Sequence, residues 1–174
     1  MRDRQKKRVQ TVALGGLTVA LGVTVLYFAS ILPTGKLALC AVAGVLPFFT
    51  AIKAGLPASF LTYAATAVLG FLLLPDLSVT FLYSLFLGLY TPVKAVFEKW
   101  LHNPIACWAA KLAFFCAMLS ILLFGVKAVL PLPERLLENT AVLYGACAAL
   151  FIVYDLALSG LIHFTVTKYR ALFK

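Results

Sequence analysis

The apolar stretch Val9 to Leu32, VQTVALGGLTVALGVTVLYFASIL, follows the basic segment MRDRQKKR and indicates the class of the fold. It contains about 24 residues, and a helix of roughly 20 apolar residues crosses the hydrocarbon core of a bilayer. The apolar part of a cleavable signal peptide is shorter, about 7 to 15 residues, and ends at a small-residue cleavage site that is not present after Leu32. The stretch therefore predicts an uncleaved first membrane span.

The composition of the whole chain supports a membrane protein. Of its 174 residues, 63% are hydrophobic and 12% are charged, whereas an average soluble domain is about half apolar and about a quarter charged. A soluble domain of this size would have too few polar residues to cover its surface. The composition therefore excludes a soluble enzyme, and the length leaves room for about six spans with short loops.

Five further apolar stretches follow the first one, separated by short segments that contain proline, glycine or charged residues. The six predicted spans cover residues 9–32, 37–52, 55–74, 77–93, 105–130 and 141–166. The predicted fold class is all-α, a polytopic membrane bundle of six helices that forms a single domain over residues 1–174. Both termini of such a bundle lie on the same side of the membrane.

The positions of the fifteen basic residues predict the orientation of the bundle. With the amino terminus inside, the cytoplasmic side would hold Arg2, Arg4, Lys6, Lys7, Arg8, Lys53, Lys94, Lys99, Lys111, Lys168, Arg170 and Lys174, and the outer side Lys36, Lys127 and Arg135. This bias follows the positive-inside rule. We therefore expect a multi-pass protein of a bacterial cytoplasmic membrane with both termini inside. The net charge of +9 is then explained by orientation and by contact with anionic headgroups, so we expect no nucleic acid partner.

Small residues form two stripes along the first span. One stripe contains Thr11, Gly15, Thr18 and Gly22, and the other contains Gly16, Ala20 and Thr24. Residues spaced in this way let two helix backbones approach closely within a membrane. Two interpretations stay open: the second stripe docks a partner protein while the first packs inside the bundle, or both stripes pack inside.

The second predicted span is short and contains Gly44 and Pro47. Irregular backbone at membrane depth occurs chiefly where it is buried in protein or lines a polar cavity. A binding pocket near Pro47 is therefore one interpretation, and a proline kink without function is the other.

Neutral polar side chains occur on the third and fourth spans, among them Ser59, Tyr63 and Tyr83. Such hydroxyl groups either hydrogen-bond between helices and to their own backbone, or line a pocket for a neutral or zwitterionic small molecule. The loop at residues 94–104 combines apolar and charged residues at helical spacing. It predicts a short amphipathic helix on the inner membrane surface, with Trp100 as a lipid anchor or a partner-docking residue.

Asp155 is the acidic residue within a predicted span. A carboxylate at the centre of a span costs at least about 2.5 to 3.5 kcal/mol, so it should face the bundle interior or water. Three interpretations remain: a ligand-binding carboxylate, a proton relay with His163, and a structural ion pair with a lysine such as Lys111 or Lys53.

Sequence motifs for catalysis and for metal binding are absent. The chain has no G-x-S-x-G or H-E-x-x-H motif and no clustered His, Asp and Glu. Its four cysteines form no C-x-x-C pair and are interpreted as small packing residues. We therefore expect no enzyme activity, no catalytic residue, no metal site and no cofactor.

The chain resembles the substrate-binding S component of energy-coupling factor (ECF) transporters in four features taken together. These are a basic tail, the first-helix sequence VALGGLTVALG at residues 12–22, six expected spans and both ends inside. The alanine- and glycine-rich first helix is the residue-level match. In that family such a surface meets a transmembrane coupling subunit that works with ABC-type ATPases, and a vitamin or metal ion is bound near the outer face. The chain lacks an amino-terminal metal hook of His and Asp, which argues against nickel or cobalt. It is also similar to uncharacterised six-span bacterial membrane proteins that share this fold.

The resemblance implies a subunit that binds a vitamin-like small molecule for an ATP-driven importer and has no ATPase activity of its own. The candidate substrate-binding residues are Pro47, Ser59, Tyr63, Tyr83 and Asp155, and the candidate docking residues are Gly16, Ala20, Thr24 and Trp100. The alternative is a non-transporting membrane scaffold or assembly subunit of a cell-envelope complex, in which the same polar residues only hold helices together.

Overall fold

The computed structural model describes residues 2–101, 103–122 and 140–172, which are helical apart from short connections. The chain divides into two compact units, Met1–Pro131 and Leu132–Lys174, and each is described by itself. The helices of the first unit are α1 (Arg2–Ile31), α2 (Lys36–Ala54), α3 (Leu56–Leu73), α4 (Leu77–Leu82), α5 (Gly88–Trp100) and α6 (Pro104–Ser120). A π-helical turn, Tyr83–Leu87, joins α4 to α5, and the second unit contains α7 (Thr140–Leu172).

Five helical segments of the described residues are long and apolar enough to cross a membrane, so the all-α fold class is confirmed and the segments fit a multi-pass membrane protein. They are Arg8–Ile31, Lys36–Ala54, Leu56–Leu73, Leu77–Trp100 and Val142–Thr165. The fifth predicted span, 105–130, begins as the shorter apolar helix α6, and its remaining residues from 123 onward lie outside the described part of the chain. The count of six spans and the orientation of the termini stay predictions.

α4, the π turn and α5 form one continuous span, Leu77–Trp100, and short connections join the successive spans of the first unit, so neighbouring spans are antiparallel. Two of these connections depend on glycine, since Gly35 before α2 and Gly55 between α2 and α3 have φ angles of 82° and 89°. An L side chain rarely adopts such angles, whereas glycine does so without strain. The unit therefore has two ends. The "Trp100 end" contains the starts of α1, α3 and α6, and the "Asp76 end" contains the connection between α3 and α4.

The fourth apolar helix continues past its predicted end at residue 93. Pro92 lies inside α5, and the helix extends through Lys94 to Trp100. Residues 94–100 are therefore the last turns of a span and not a separate helix on the membrane surface. Proline removes one backbone donor but leaves the following turns intact, so a helix can continue through it when neighbouring helices compensate.

The second helix differs from its prediction in the same way. α2 runs from Lys36 to Ala54 with Pro47 inside it, so the helix is not interrupted there. Thr91 of α5 supports this stretch, because its hydroxyl donates a 2.6 Å hydrogen bond to the carbonyl of Gly44. Both Gly44 and Thr91 are buried. This hydrogen bond therefore joins a side chain of α5 to the backbone of α2 one turn before Pro47.

Candidate functional site

Pro47 and Ser59, two predicted binding residues, are in direct contact between α2 and α3. The Ser59 hydroxyl donates a 2.8 Å hydrogen bond to the Pro47 carbonyl, and the Thr50 hydroxyl donates a 2.7 Å bond to the same oxygen. Thr50 and Thr62 share a further hydrogen bond of 3.0 Å. The backbone next to the proline is thus held by hydroxyl groups of both helices.

Tyr63 lies one turn after Ser59 on α3 and contacts the π turn. In that turn the Gly88 N–H donates to the carbonyl of Tyr83, five residues earlier. A regular α-helix would instead direct this N–H to Ser84, four residues earlier. The Ser84 carbonyl therefore does not receive the Gly88 N–H, and the Tyr63 hydroxyl donates a 2.6 Å hydrogen bond to it. A side chain of α3 thus binds the carbonyl that the π turn releases.

Tyr83 packs against both its own helix and Tyr63. The centroids of the two tyrosine rings are 6.1 Å apart. A Cβ atom on Gly88 would lie 2.6 Å from the Cζ atom of Tyr83, so the ring occupies the space that any other residue at position 88 would fill. Glycine at this position therefore allows the Tyr83 ring to lie along the helix beyond the π turn.

The structure brings four of the five predicted binding residues together around α3. Pro47, Ser59, Tyr63 and Tyr83 form a neutral, hydroxyl-rich layer that we call the α3 layer. The hydroxyls of Ser59 and Tyr63 donate to backbone carbonyls of neighbouring helices. Asp155, the fifth residue, lies on α7 in the second unit, where its backbone carbonyl accepts a 2.8 Å hydrogen bond from the Ser159 hydroxyl.

A cluster of charged residues between α5 and α6 was not predicted as a site. The Nζ atoms of Lys94 and Lys111 lie 3.6 and 2.8 Å from the same oxygen of Glu98, Oε1. The Lys94 side chain is 1% exposed and that of Glu98 is 42% exposed. Lys111 also lies 5.9 Å from the ring centroid of Trp108.

Two buried ammonium groups are costly in a membrane protein, because removing an ion from water costs several kcal/mol unless it is compensated. The sequence places Lys94 only at the inner membrane surface, and it offers Lys111 both at that surface and as a candidate ion-pair partner of Asp155. The spacing of Lys94 and Glu98, four residues apart on one helix, was the available signal for an ion pair. The burial of both lysines and the convergence on one carboxylate oxygen required the packing of α6 on α5.

The two stripes of α1 have different surroundings. On the first stripe, a Cβ atom on Gly15 would lie 3.4 Å from the Cγ2 atom of Thr62. A Cβ atom on Gly22 would lie 3.1 Å from the Cγ2 atom of Thr66. Both threonines belong to α3, so this stripe packs inside the first unit. On the second stripe, no atom of the other helices of the first unit lies within 4 Å of the Cβ position of Gly16. Ala20 and Thr24, on the same side of α1, are exposed.

Trp100, the fourth predicted docking residue, is 78% exposed at the end of α5. The four cysteines are free thiols. Within residues 2–101, 103–122 and 140–172, no three side chains of His, Cys, Asp or Glu are grouped in a way that would hold a metal ion.

Comparisons of the chain with protein-family models, with curated proteins and with solved structures gave no match.

Proposed function

We propose that the protein is the substrate-binding subunit of an ATP-driven importer, that it docks on a transmembrane coupling subunit through α1, and that it binds a vitamin-like small molecule. The exposed stripe Gly16, Ala20 and Thr24 carries this proposal. Small residues are enriched where membrane helices pack against one another. α1 uses one such stripe inside the first unit and presents the other on its opposite side.

The α3 layer is the proposed capture site. Its side chains are neutral hydroxyl and aromatic groups, which suit a neutral or zwitterionic molecule better than an ion. Asp155, on the second unit, is a separate candidate, because its carboxylate suits a positively charged group. In this proposal the coupling ATPases hydrolyse ATP and this chain hydrolyses none, and both of its termini lie on the cytoplasmic side of a bacterial membrane.

Ligand capture is tested with the purified full chain in detergent, by thermal unfolding in the presence of vitamins and nucleobases. A ligand at 100 times its dissociation constant should stabilise the protein by about 2.7 kcal/mol. The variant Asp155→Asn then separates the roles of this residue. A normal folded yield with lost affinity supports a binding carboxylate, whereas a collapsed yield with normal affinity in the surviving protein supports a structural one. If no compound of the panel shifts the unfolding temperature, capture is rejected.

Docking through α1 is tested by co-purification with membrane proteins from the native host. The double variant Gly16→Leu with Ala20→Leu fills the exposed stripe and should abolish recovery of a coupling subunit. Leu21→Phe is the matched control, because it adds bulk to an exposed position of α1 outside the stripe. Unchanged recovery with the double variant would remove the docking surface from the proposal.

The second candidate function is a membrane scaffold or assembly subunit of a cell-envelope complex. Its support is that the Ser59 and Tyr63 hydroxyls donate to the carbonyls of Pro47 and Ser84, so they hold helices together. A scaffold predicts that the α1 double variant loses its envelope partners while the ligand panel gives no thermal shift. Recovery of ABC-type ATPases with the wild-type chain would favour the importer over the scaffold.

A further inference from the structure

We propose that the start of α1 binds the headgroups of anionic phospholipids as a basic collar. The basic collar consists of Arg2, Arg4, Lys6, Lys7 and Arg8. These residues are not a separate tail, because α1 begins at Arg2 and continues as one helix to Ile31. The five basic residues therefore belong to a helical extension of the first span.

The height of the basic collar fits the headgroup layer. At about 1.5 Å per residue, the helix rises about 9 Å from Arg2 to Arg8, and the candidate span begins at Arg8. The headgroup layer of one leaflet is about 5 to 7 Å thick, from the difference between the full bilayer and its hydrocarbon core. The basic collar thus begins at the hydrocarbon boundary and extends through the depth at which lipid phosphates lie.

The distribution of the basic positions around the helix favours lipid over a protein partner. Successive residues of an α-helix are turned by about 100°, so the five positions are spread around the axis with no gap wider than about 120°. Lys6 and Arg8 are exposed. Headgroups surround a membrane helix on every side, whereas a protein partner contacts one face. Basic positions on all sides of the helix therefore match a surrounding layer of anionic headgroups.

Other exposed residues at the Trp100 end indicate the same membrane boundary. Trp100 and Ile105 are each 78% exposed, and Lys99 beside them is exposed. Tryptophan is enriched where the hydrocarbon core meets the headgroups. At the Asp76 end, by contrast, Lys36 is neutralised by an ion pair with Asp76. The basic residues at the Trp100 end outnumber those at the Asp76 end, where Lys36 is paired, so we expect anionic lipids to bind at the Trp100 end.

The experiment uses the full chain in nanodiscs of phosphatidylcholine with a minor fraction of phosphatidylglycerol. Native mass spectrometry measures the enrichment of phosphatidylglycerol among the lipids that stay bound. The variant Lys6→Gln with Arg8→Gln removes two charges, and Lys6→Arg with Arg8→Lys keeps them. Lys36→Gln is the control at the opposite end. Thermal unfolding of each variant checks that it is folded.

Phosphatidylglycerol should be enriched among the lipids bound to the wild type. Each charge removed should lower this enrichment by about fivefold, the equivalent of about 1 kcal/mol per cation. The enrichment should be unchanged in the charge-preserving variant and in Lys36→Gln, and added salt should lower it in every variant that shows it. Equal enrichment in the wild type and the glutamine variant would overturn the proposal. No enrichment in the wild type, or equal loss in Lys36→Gln, would also overturn it.

Discussion

The Tyr63 hydroxyl lies 2.6 Å from the backbone carbonyl oxygen of Ser84 and donates a hydrogen bond to it, across the boundary between α3 and the π turn. A π turn contains one residue more than the regular helix requires, and such turns often occur at functional sites. Because the extra residue redirects the Gly88 N–H, the Ser84 carbonyl needs another donor. Tyr63 thus connects the geometry of the fourth span to α3.

Tyr63→Phe is expected to lower the free energy of unfolding by about 1 to 3 kcal/mol. The variant keeps the aromatic ring beside Tyr83 but leaves a carbonyl without its side-chain donor in a low-dielectric setting. Denaturant unfolding of the purified protein in detergent measures the change. Tyr27→Phe is the matched control, because Tyr27 lies on an exposed part of α1. Equal effects of the two variants would show that the Tyr63 hydroxyl does not stabilise the π turn.

Thr80→Val is expected to leave the protein as stable or to stabilise it by about 1 kcal/mol. Thr80 is fully buried, and its Oγ1 atom has no hydrogen-bond partner among the described residues. Its Cγ2 atom would lie 3.1 Å from a Cβ on Gly70, so the methyl group rather than the hydroxyl makes the close contact with α3. Valine keeps a methyl group there and removes the unsatisfied hydroxyl, whose burial costs about 1 to 3 kcal/mol.

Thr66→Val provides the comparison for Thr80→Val. The Thr66 hydroxyl donates a 2.8 Å hydrogen bond to the Thr62 carbonyl, so its removal should cost stability. Both variants are compared by thermal unfolding under the same conditions. If Thr80→Val is the more destabilising of the two, the Thr80 hydroxyl has a partner, and an ordered water would be the first candidate.

Asp76 makes the stability of the first unit dependent on pH. Burial alone would raise the pKa of this carboxyl, but the hydrogen bonds from Lys36 and Ser78 outweigh it and hold the pKa below its usual value. The Lys36 ammonium lies 2.6 Å from Oδ2, and the Ser78 N–H donates to Oδ1 at the start of α4. The stabilisation is therefore complete above the unfolded-state pKa of about 3.9 and is lost as the pH falls through the lower folded-state pKa.

Unfolding measured between about pH 2 and pH 6 tests this linkage. In Asp76→Asn the charge is removed while an acceptor for the Ser78 N–H stays, so the stability should vary less with pH across this window. The loss near neutral pH should be about 0.2 to 1 kcal/mol, because Lys36 is partly exposed. An unchanged pH profile in Asp76→Asn would contradict the assignment to Asp76.

Apolar runs and helical spacing predicted much of this structure. The helical spacing of small residues on the first span indicated two separate stripes, and one of them packs on α3 through Gly15 and Gly22. The hydroxyl residues of neighbouring spans pointed to Ser59, Tyr63 and Tyr83, whose role as binding residues stays a prediction. These features are periodic along the chain, so they leave a pattern that can be read before any tertiary contact is known.

Other features leave no such pattern. The π turn changes the register of the fourth helix by one residue, and no single residue type specifies it. Pro92 predicted an end to that helix, but α5 continues through it to Trp100. The lysine cluster depends on packing, because composition shows that Lys94 carries a charge but not that the side chain is 1% exposed. Contacts between helices decide these features.

Gly16 and Gly22 allow the two faces of α1 to be compared by one chemical change. Gly22→Ala places a Cβ 3.1 Å from the Thr66 side chain, which must shift, so it is expected to be less stable than Gly16→Ala by about 1 to 3 kcal/mol. Gly16→Ala meets no atom of another helix of the first unit. It is expected to stabilise the isolated protein by up to about 1 kcal/mol, because alanine favours a helix more than glycine does. Thermal unfolding of both variants in detergent gives the difference. A loss in Gly16→Ala as large as that in Gly22→Ala would mean that the Gly16 face also packs within the chain, which would leave no open stripe on α1 for a partner.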